Sequence, residues 1–210
     1  MRVGVTGHQP RDLHHAHTDQ LQKQIHTVLQ SLKQFAQEHP AVSTSYRERD
    51  EPILRLVSSL AEGADRYAAH QAVSLGYELQ CPLPFARDEY LNDFEKDASA
   101  QEFNRLLDDT QHTTAILELD GSRDRESESY LAAGRVVLSQ ADVLLAIWDG
   151  QGSRGEGGTA QIVAEAGLRN ILTIRIESTA PHRILYRLLA TNGIPPAKPR
   201  ASCSTNCAFC

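Results

Sequence analysis

The chain predicts a Rossmann-like α/β fold, a three-layer sandwich around a mostly parallel sheet in a single domain. Three observations carry that expectation. Apolar runs of strand length alternate with helical patterns along most of the chain. One run, Val143 to Trp148 (VLLAIW), is apolar at every position, which implies burial on both faces of a parallel sheet. The most distinctive turns fall at the ends of the expected strands, where folds of this kind hold their ligands.

Taken in order, Val3 to Thr6 reads as a short strand closing at Gly7. Thr18 to Glu38 is polar and helix-forming, with Leu21, Ile25, Val28, Leu29, Leu32 and Phe35 on one face, and Pro40 follows its end. Residues 41–52 read as a polar surface loop. Leu54 to Leu60 is a second strand, and Gly63 to Leu75 a helix closed by Gly76. Tyr77 to Leu83 is a third strand, ending in a turn at Pro82 and Pro84. Asp88 to Glu95 and Ala100 to Asp109 read as two short helices, and Thr113 to Leu119 as a fourth strand. After a polar loop from Gly121 to Ser127, Glu128 to Gln140 is helical. Val143 to Trp148 is the apolar strand, Thr159 to Gly167 a helix, and Ile171 to Ile176 the final strand. The domain is thus expected over residues 1–177. An additional helical segment is expected over 178–193, and a disordered tail without periodicity over 194–210.

Composition narrows the function. The 210 residues are 40% apolar, enough for a substantial core. Lysine and arginine number 21 against 27 acids, a net charge of -6. A basic field over the whole surface is therefore absent, which disfavours nucleic acid as a partner. No run approaches the roughly 18 apolar residues of a membrane helix, and the start MRVGVTGHQP has no secretory pattern. A cytoplasmic protein without a membrane partner is expected. Cys81 lies in an apolar run and the other three cysteines crowd the last eight residues, so no disulfide framework is expected. Cys203, Cys207 and Cys210 have the spacing of an iron–sulfur motif, but the surrounding stretch lacks any periodicity and reads as tail. His14, His15 and His17 have no second ligand group at metal-site spacing and read as a solvated loop. No metal or cofactor is expected.

The strongest chemical signal is the run from Asp149 to Thr159, DGQGSRGEGGT, leading from a buried strand into a helix. Its glycines allow close backbone approach, and free amides at a helix start attract anions. Gly157, Gly158 and Thr159 are the expected cradle, with Arg154 adding charge-assisted bonds. It is not a Walker loop, because no lysine follows the glycines. The second signal is Thr6-Gly7-His8 at the end of the first strand, with polar atoms facing the crevice. A general-base role for His8 finds no partner in the sequence. The third is Ser59 to Arg66, SLAEGADR, where Ser59 and Glu62 are candidates for a ribose or base. Asp65 has an equally good explanation as a complement to the helix dipole.

These segments together, VTGH, SSLAEGADR, PLPF with RDEYLNDF, and AIWDG with RGEGGTA, resemble the SLOG superfamily over about residues 1–177. That group comprises the Rossmann-like relatives of the DNA-processing protein DprA and the LOG phosphoribohydrolases. The resemblance is nearest to its sensor-like branch and implies a nucleotide or nucleotide-derived signalling ligand at the strand ends; it does not by itself imply catalysis, and the expectation is a non-catalytic ligand sensor that forms a homo-oligomer. One departure matters. LOG-type hydrolases carry an acid just after the threonine of a P-G-G-x-G-T-x-E-E-like loop, and here Gln161 stands in its place. An amide contacts ribose hydroxyls but accepts no proton. Glu165, one helical turn further on, keeps a nucleotide N-glycoside hydrolase as the alternative. A DprA-like single-strand DNA binder is a second alternative, which the net acidity disfavours.

Overall fold

Seven strands form one sheet in the order β4-β3-β2-β1-β5-β6-β7 in the computed structural model, which describes residues 1–10, 13, 18–39, 52–94, 96–152 and 158–187. The strands are β1 (Arg2–Gly7), β2 (Arg55–Val57), β3 (Glu78–Leu83), β4 (Thr113–Glu118), β5 (Val143–Ile147), β6 (Leu172–Ile176) and β7 (Ile184–Arg187). The helices are α1 (Thr18–Glu38), α2 (Ala64–Ser74), α3 (Arg87–Tyr90), α4 (Asp97–Leu107), α5 (Glu126–Gln140) and α6 (Thr159–Leu168). Strands β1 to β6 run parallel, and only β7 is antiparallel, against β6. This is the expected mostly parallel α/β sandwich.

Alternation along the strands divides the core between the two faces. Val3, Val5, Leu145 and Ile147 pack with Leu21, Ile25 and Leu29 of α1 and with the alanines of α2. On the opposite face Leu144 and Ala146 pack with Leu138 of α5 and with Ile162, Val163 and Ala166 of α6. All five residues of β5 are buried, as its unbroken apolar run requires. The run of small side chains Ala64, Ala68, Ala69 and Ala72 lets α2 lie close to the sheet and to α1.

The chain after β6 departs from the expectation. The described part of the 178–193 segment is not helical: Ile184–Arg187 forms β7, pairing Ile176 with Ile184 and Thr173 with Arg187. Short apolar runs such as Ile184-Leu185-Tyr186 carry no decisive period. The unpaired edge of β6 supplied the hydrogen-bond partners that settled the matter. Residues 188–210, with the proline-rich and cysteine-rich tail, lie outside the described residues.

Candidate functional site

The strand order reverses direction at β1, where the chain passes from β4 across the sheet to β5. Crossovers leave the two sides from this point, and a crevice opens beyond the carboxyl ends of β1 and β5. The register places Gly7 beside Ile147, so the turns after both strands begin level with each other. His8 N–H donates to the Ile147 carbonyl at 3.0 Å, extending the pairing one step past the strand. An open cleft of about 1340 Å³ begins over these ends and continues along α2 and α4 as far as Arg105 and Asp109.

Its floor is built by two close approaches. A Cβ on Gly7 would collide with Ala64 at the start of α2, so glycine is needed here for packing. Gly63 has φ of 89°, and a Cβ there would lie 2.8 Å from the His8 carbonyl oxygen. That carbonyl accepts the Ala64 N–H at 3.1 Å. The β1 turn therefore rests on the first turn of α2, which explains both glycines in one contact.

Of the candidate residues, Thr6, Gly7, His8, Ser59, Glu62, Gly158 and Thr159 line this cleft. Three separate stretches of sequence thus meet at one place. Asp149 stands behind His8, with its Oδ1 3.7 Å from His8 Nε2 and accepting the Gln151 N–H at 2.9 Å. His8 Nδ1 is enclosed by the protein. Gln161 is not among the lining residues, and its side chain hydrogen-bonds Glu165. Arg154 and Gly157 lie outside the described residues, as do His14, His15 and His17. Among the described residues no group of histidine, cysteine and carboxylate side chains is placed to hold a metal.

Glu165 does not face the cleft. Arg135 of α5 grips its carboxylate from Nε at 3.1 and 3.0 Å and from Nη2 at 2.7 Å, and Arg169 adds a contact at 3.4 Å. The Arg135 hydrogen bonds hold the Glu165 carboxyl below the ordinary range. A carboxylate so engaged bridges two helices and is a poor proton acceptor.

Several wall residues had no role assigned from the sequence, Arg66 among them although it closes the Ser59–Arg66 stretch. Arg66 of α2 is 2% exposed. It donates to the Leu60 carbonyl at 3.0 Å, to the Ser99 carbonyl and hydroxyl at 2.8 and 2.7 Å, and to Glu102 at 3.0 Å. Its guanidinium lies 4.3 Å from the centre of the Phe94 ring. The Ser99 hydroxyl donates in turn to Glu62, tying the β2 turn to α4. Glu102 also meets His70 at 2.7 Å. Burial works against its charge, yet the hydrogen bonds from His70 and Arg66 keep its carboxyl below the usual range. On the other wall, Trp148 follows directly after β5, and Tyr130 and Gly134 come from α5. Trp148 read only as the end of an apolar strand.

Asp65 is more than a complement to the helix dipole. Its carboxylate accepts the Ser58 hydroxyl at 2.8 Å, and the same hydroxyl accepts the Leu60 N–H at 3.1 Å, bracing a turn where Leu60 has φ of 55°. Burial pushes the Asp65 carboxyl up to about 7, against hydrogen bonds from Ser58 and the Ala61 backbone and the charge of Arg66. Because the folded value is raised, its stabilising contribution is full below the ordinary 3.8 and is lost as pH rises through about 7. Asn keeps an acceptor for Ser58 but does not ionise. Urea unfolding of Asp65→Asn and the parent at pH 5 and pH 8 is therefore expected to favour the variant more at the higher pH. The expected change between them is on the order of a few kcal/mol. An equal difference at both pH values would refute the buried-charge account.

Fold and cleft together define a Rossmann-like α/β protein with a crevice at the reversal point of its sheet. Comparison with solved structures finds the same architecture in DNA processing protein A (DprA) from Streptococcus pneumoniae, with a TM-score of 0.51 and 16% sequence identity. The likeness covers 86% of this chain and 51% of that one, so the chain spans about half the length of the protein it matches. No family model and no curated protein matches the sequence. At this identity the shared property is the fold. Among the described residues no helix is long and apolar enough to cross a membrane.

Proposed function

We propose that this protein binds a nucleotide or nucleotide-derived signalling ligand in the cleft over β1 and β5 and does not break it down. The observation that carries the proposal is the convergence of Thr6 to His8, Ser59 with Glu62, and Gly158 with Thr159 on one crevice. Backbone amides at the start of α6 suit a phosphate. Glu62 suits a ribose hydroxyl, which a carboxylate accepts. The absence of catalysis is supported by the chemistry of the acids and bases present. Glu165 is held by two arginines, and His8 turns Nε2 toward Asp149 with Nδ1 enclosed.

A second reading, single-strand nucleic acid, draws support from the likeness to a DNA processing protein. That likeness lends nothing to the expectation that nucleic acid is not a partner, which rested on net charge alone. One experiment separates the readings. Pure protein is titrated in a calorimeter with nucleoside 5′-monophosphates and with single-stranded oligonucleotides, and the incubated nucleotides are then chromatographed. Nucleotide binding with intact recovery is expected. Release of free base that disappears in Glu165→Gln would establish the hydrolase instead, and binding of the oligonucleotide alone would establish the DNA binder.

A further inference from the structure

We propose that the cleft selects ribonucleotides against deoxyribonucleotides, with the carboxylate of Glu62 as the residue that decides, accepting the 2′- and 3′-hydroxyls of the ribose. The inference rests on the nucleotide-binding reading and deepens it by naming the sugar.

The first argument is elimination. The carboxylates that line the cleft are Glu62, Asp65, Asp93, Glu102 and Asp109. All but Glu62 are matched within the fold. Asp93 pairs with Arg123 at 2.6 Å, Glu102 with Arg66 at 3.0 Å, and Asp109 with His112 at 2.7 Å. Asp65 is buried and accepts the Ser58 hydroxyl. Glu62 is half-buried and has no cationic partner among the described residues, where its one hydrogen bond comes from the Ser99 hydroxyl to Oε1. Its Oε2 is left for a ligand. An ionised carboxylate accepts hydrogen bonds and donates none, so the ligand must bring donors. A pair of neighbouring hydroxyls fits that demand, and a phosphate is repelled.

The second argument is rigidity. The Ser99 hydroxyl that donates to Glu62 also accepts from Nη1 of Arg66 at 2.7 Å, and Arg66 is 2% exposed. A buried guanidinium thus fixes, through one serine, a side chain that would otherwise turn freely at the surface. An acceptor held in place discriminates sharply, because a ligand without the hydroxyl leaves it covered and unpaired. Ser99 is a positioning residue in this arrangement.

The third argument is placement. The ends of β2 and β5 flank β1 and stand two strand spacings apart, about 10 Å. Glu62 follows β2, and the next residue, Gly63, packs on the His8 carbonyl of the β1 turn. The amides of α6, which suit the phosphate, follow β5. With a hydrogen bond of about 3 Å at each side, the interval suits a phosphate and its ribose. The Watson–Crick edge of the base lies farther from the 5′-phosphate than the ribose hydroxyls do.

The test titrates the four ribonucleoside 5′-monophosphates and their 2′-deoxy counterparts into the pure protein in a calorimeter. A hydrogen bond to a charged group predicts that the ribonucleotide binds about ten- to a hundredfold more tightly than its deoxy form. Glu62→Gln keeps the size and an acceptor for Ser99, and is expected to erase most of that ratio by weakening the ribonucleotide alone. Ser99→Ala is expected to reduce the ratio as well, with the deoxynucleotide affinity unchanged. Melting temperatures of the free variants show that they fold. Equal affinity of the parent for ribo and deoxy forms would overturn the inference and leave the nucleotide site standing. An undiminished ratio in Glu62→Gln would also overturn it. So would a preference for guanine in place of one for ribose, lost in the same variant, which would put the base edge at Glu62. Failure of every nucleotide to bind would remove the inference and the underlying reading together.

Discussion

Arg66→Ala is expected to lower stability by roughly 3–5 kcal/mol, the usual cost of removing one member of a buried charged network. The arginine is 2% exposed and its donors reach the Leu60 carbonyl, the Ser99 carbonyl and hydroxyl, and Glu102. Truncation leaves the Leu60 carbonyl without its side-chain donor in a buried turn, and opens a space against Phe94 and Phe103. It also leaves Glu102 with only His70 opposite. Part of the loss comes from packing, since the guanidinium covers two rings. Arg66→Met, which retains much of that volume, is expected to recover a fraction of it. Denaturant melts of both variants measure the effect. A loss below about 1 kcal/mol in Arg66→Ala would show that the network contributes no more than a surface ion pair does.

Gly158→Val is expected to reduce nucleotide affinity at least a hundredfold while leaving the fold intact. Gly158 caps α6 in an extended conformation, φ of -79° and ψ of 170°, which valine adopts without strain. The substitution therefore acts on space and not on the backbone. Its branched side chain would stand where a phosphate must approach the amides of the first helical turn. Calorimetric titration with the nucleotide that binds the parent, together with an unchanged melting temperature for the free protein, measures both halves of the expectation. Unaltered affinity would place the ligand elsewhere in the cleft.

The two expectations differ in how they were reached. Gly158 and Thr159 stood out in the sequence because a glycine-rich step from an apolar strand into a helix has a local chemical meaning. The same holds for Thr6-Gly7-His8 and for Ser59 with Glu62, which are strand-end positions once the strands are recognised. Asp149 was also visible there, but only the parallel register of β1 and β5 brings its carboxylate to 3.7 Å from His8 Nε2. Gln161 and Glu165 share a helix face by spacing, and the fold turns that face toward Arg135 of α5 and away from the cleft. A helical period specifies which residues lie together and says nothing of what they face.

Periodicity and composition by themselves determined the class of fold, the position of nearly every strand and helix through β6, and the three strand-end turns that build the cleft. Those properties are local: an apolar run, a 3.6-residue repeat or a glycine turn is complete within a few neighbours. Tertiary structure decided the rest. It made Ile184–Arg187 a strand because β6 presented an open edge. It required Gly7 and Gly63 because α2 and the β1 turn touch there. It placed Arg66, Ser99 and Glu62 in one network although Ser99 lies 33 residues from Arg66. Contacts between segments far apart in the chain depend on sheet order and crossover hand, and no short window of sequence contains either.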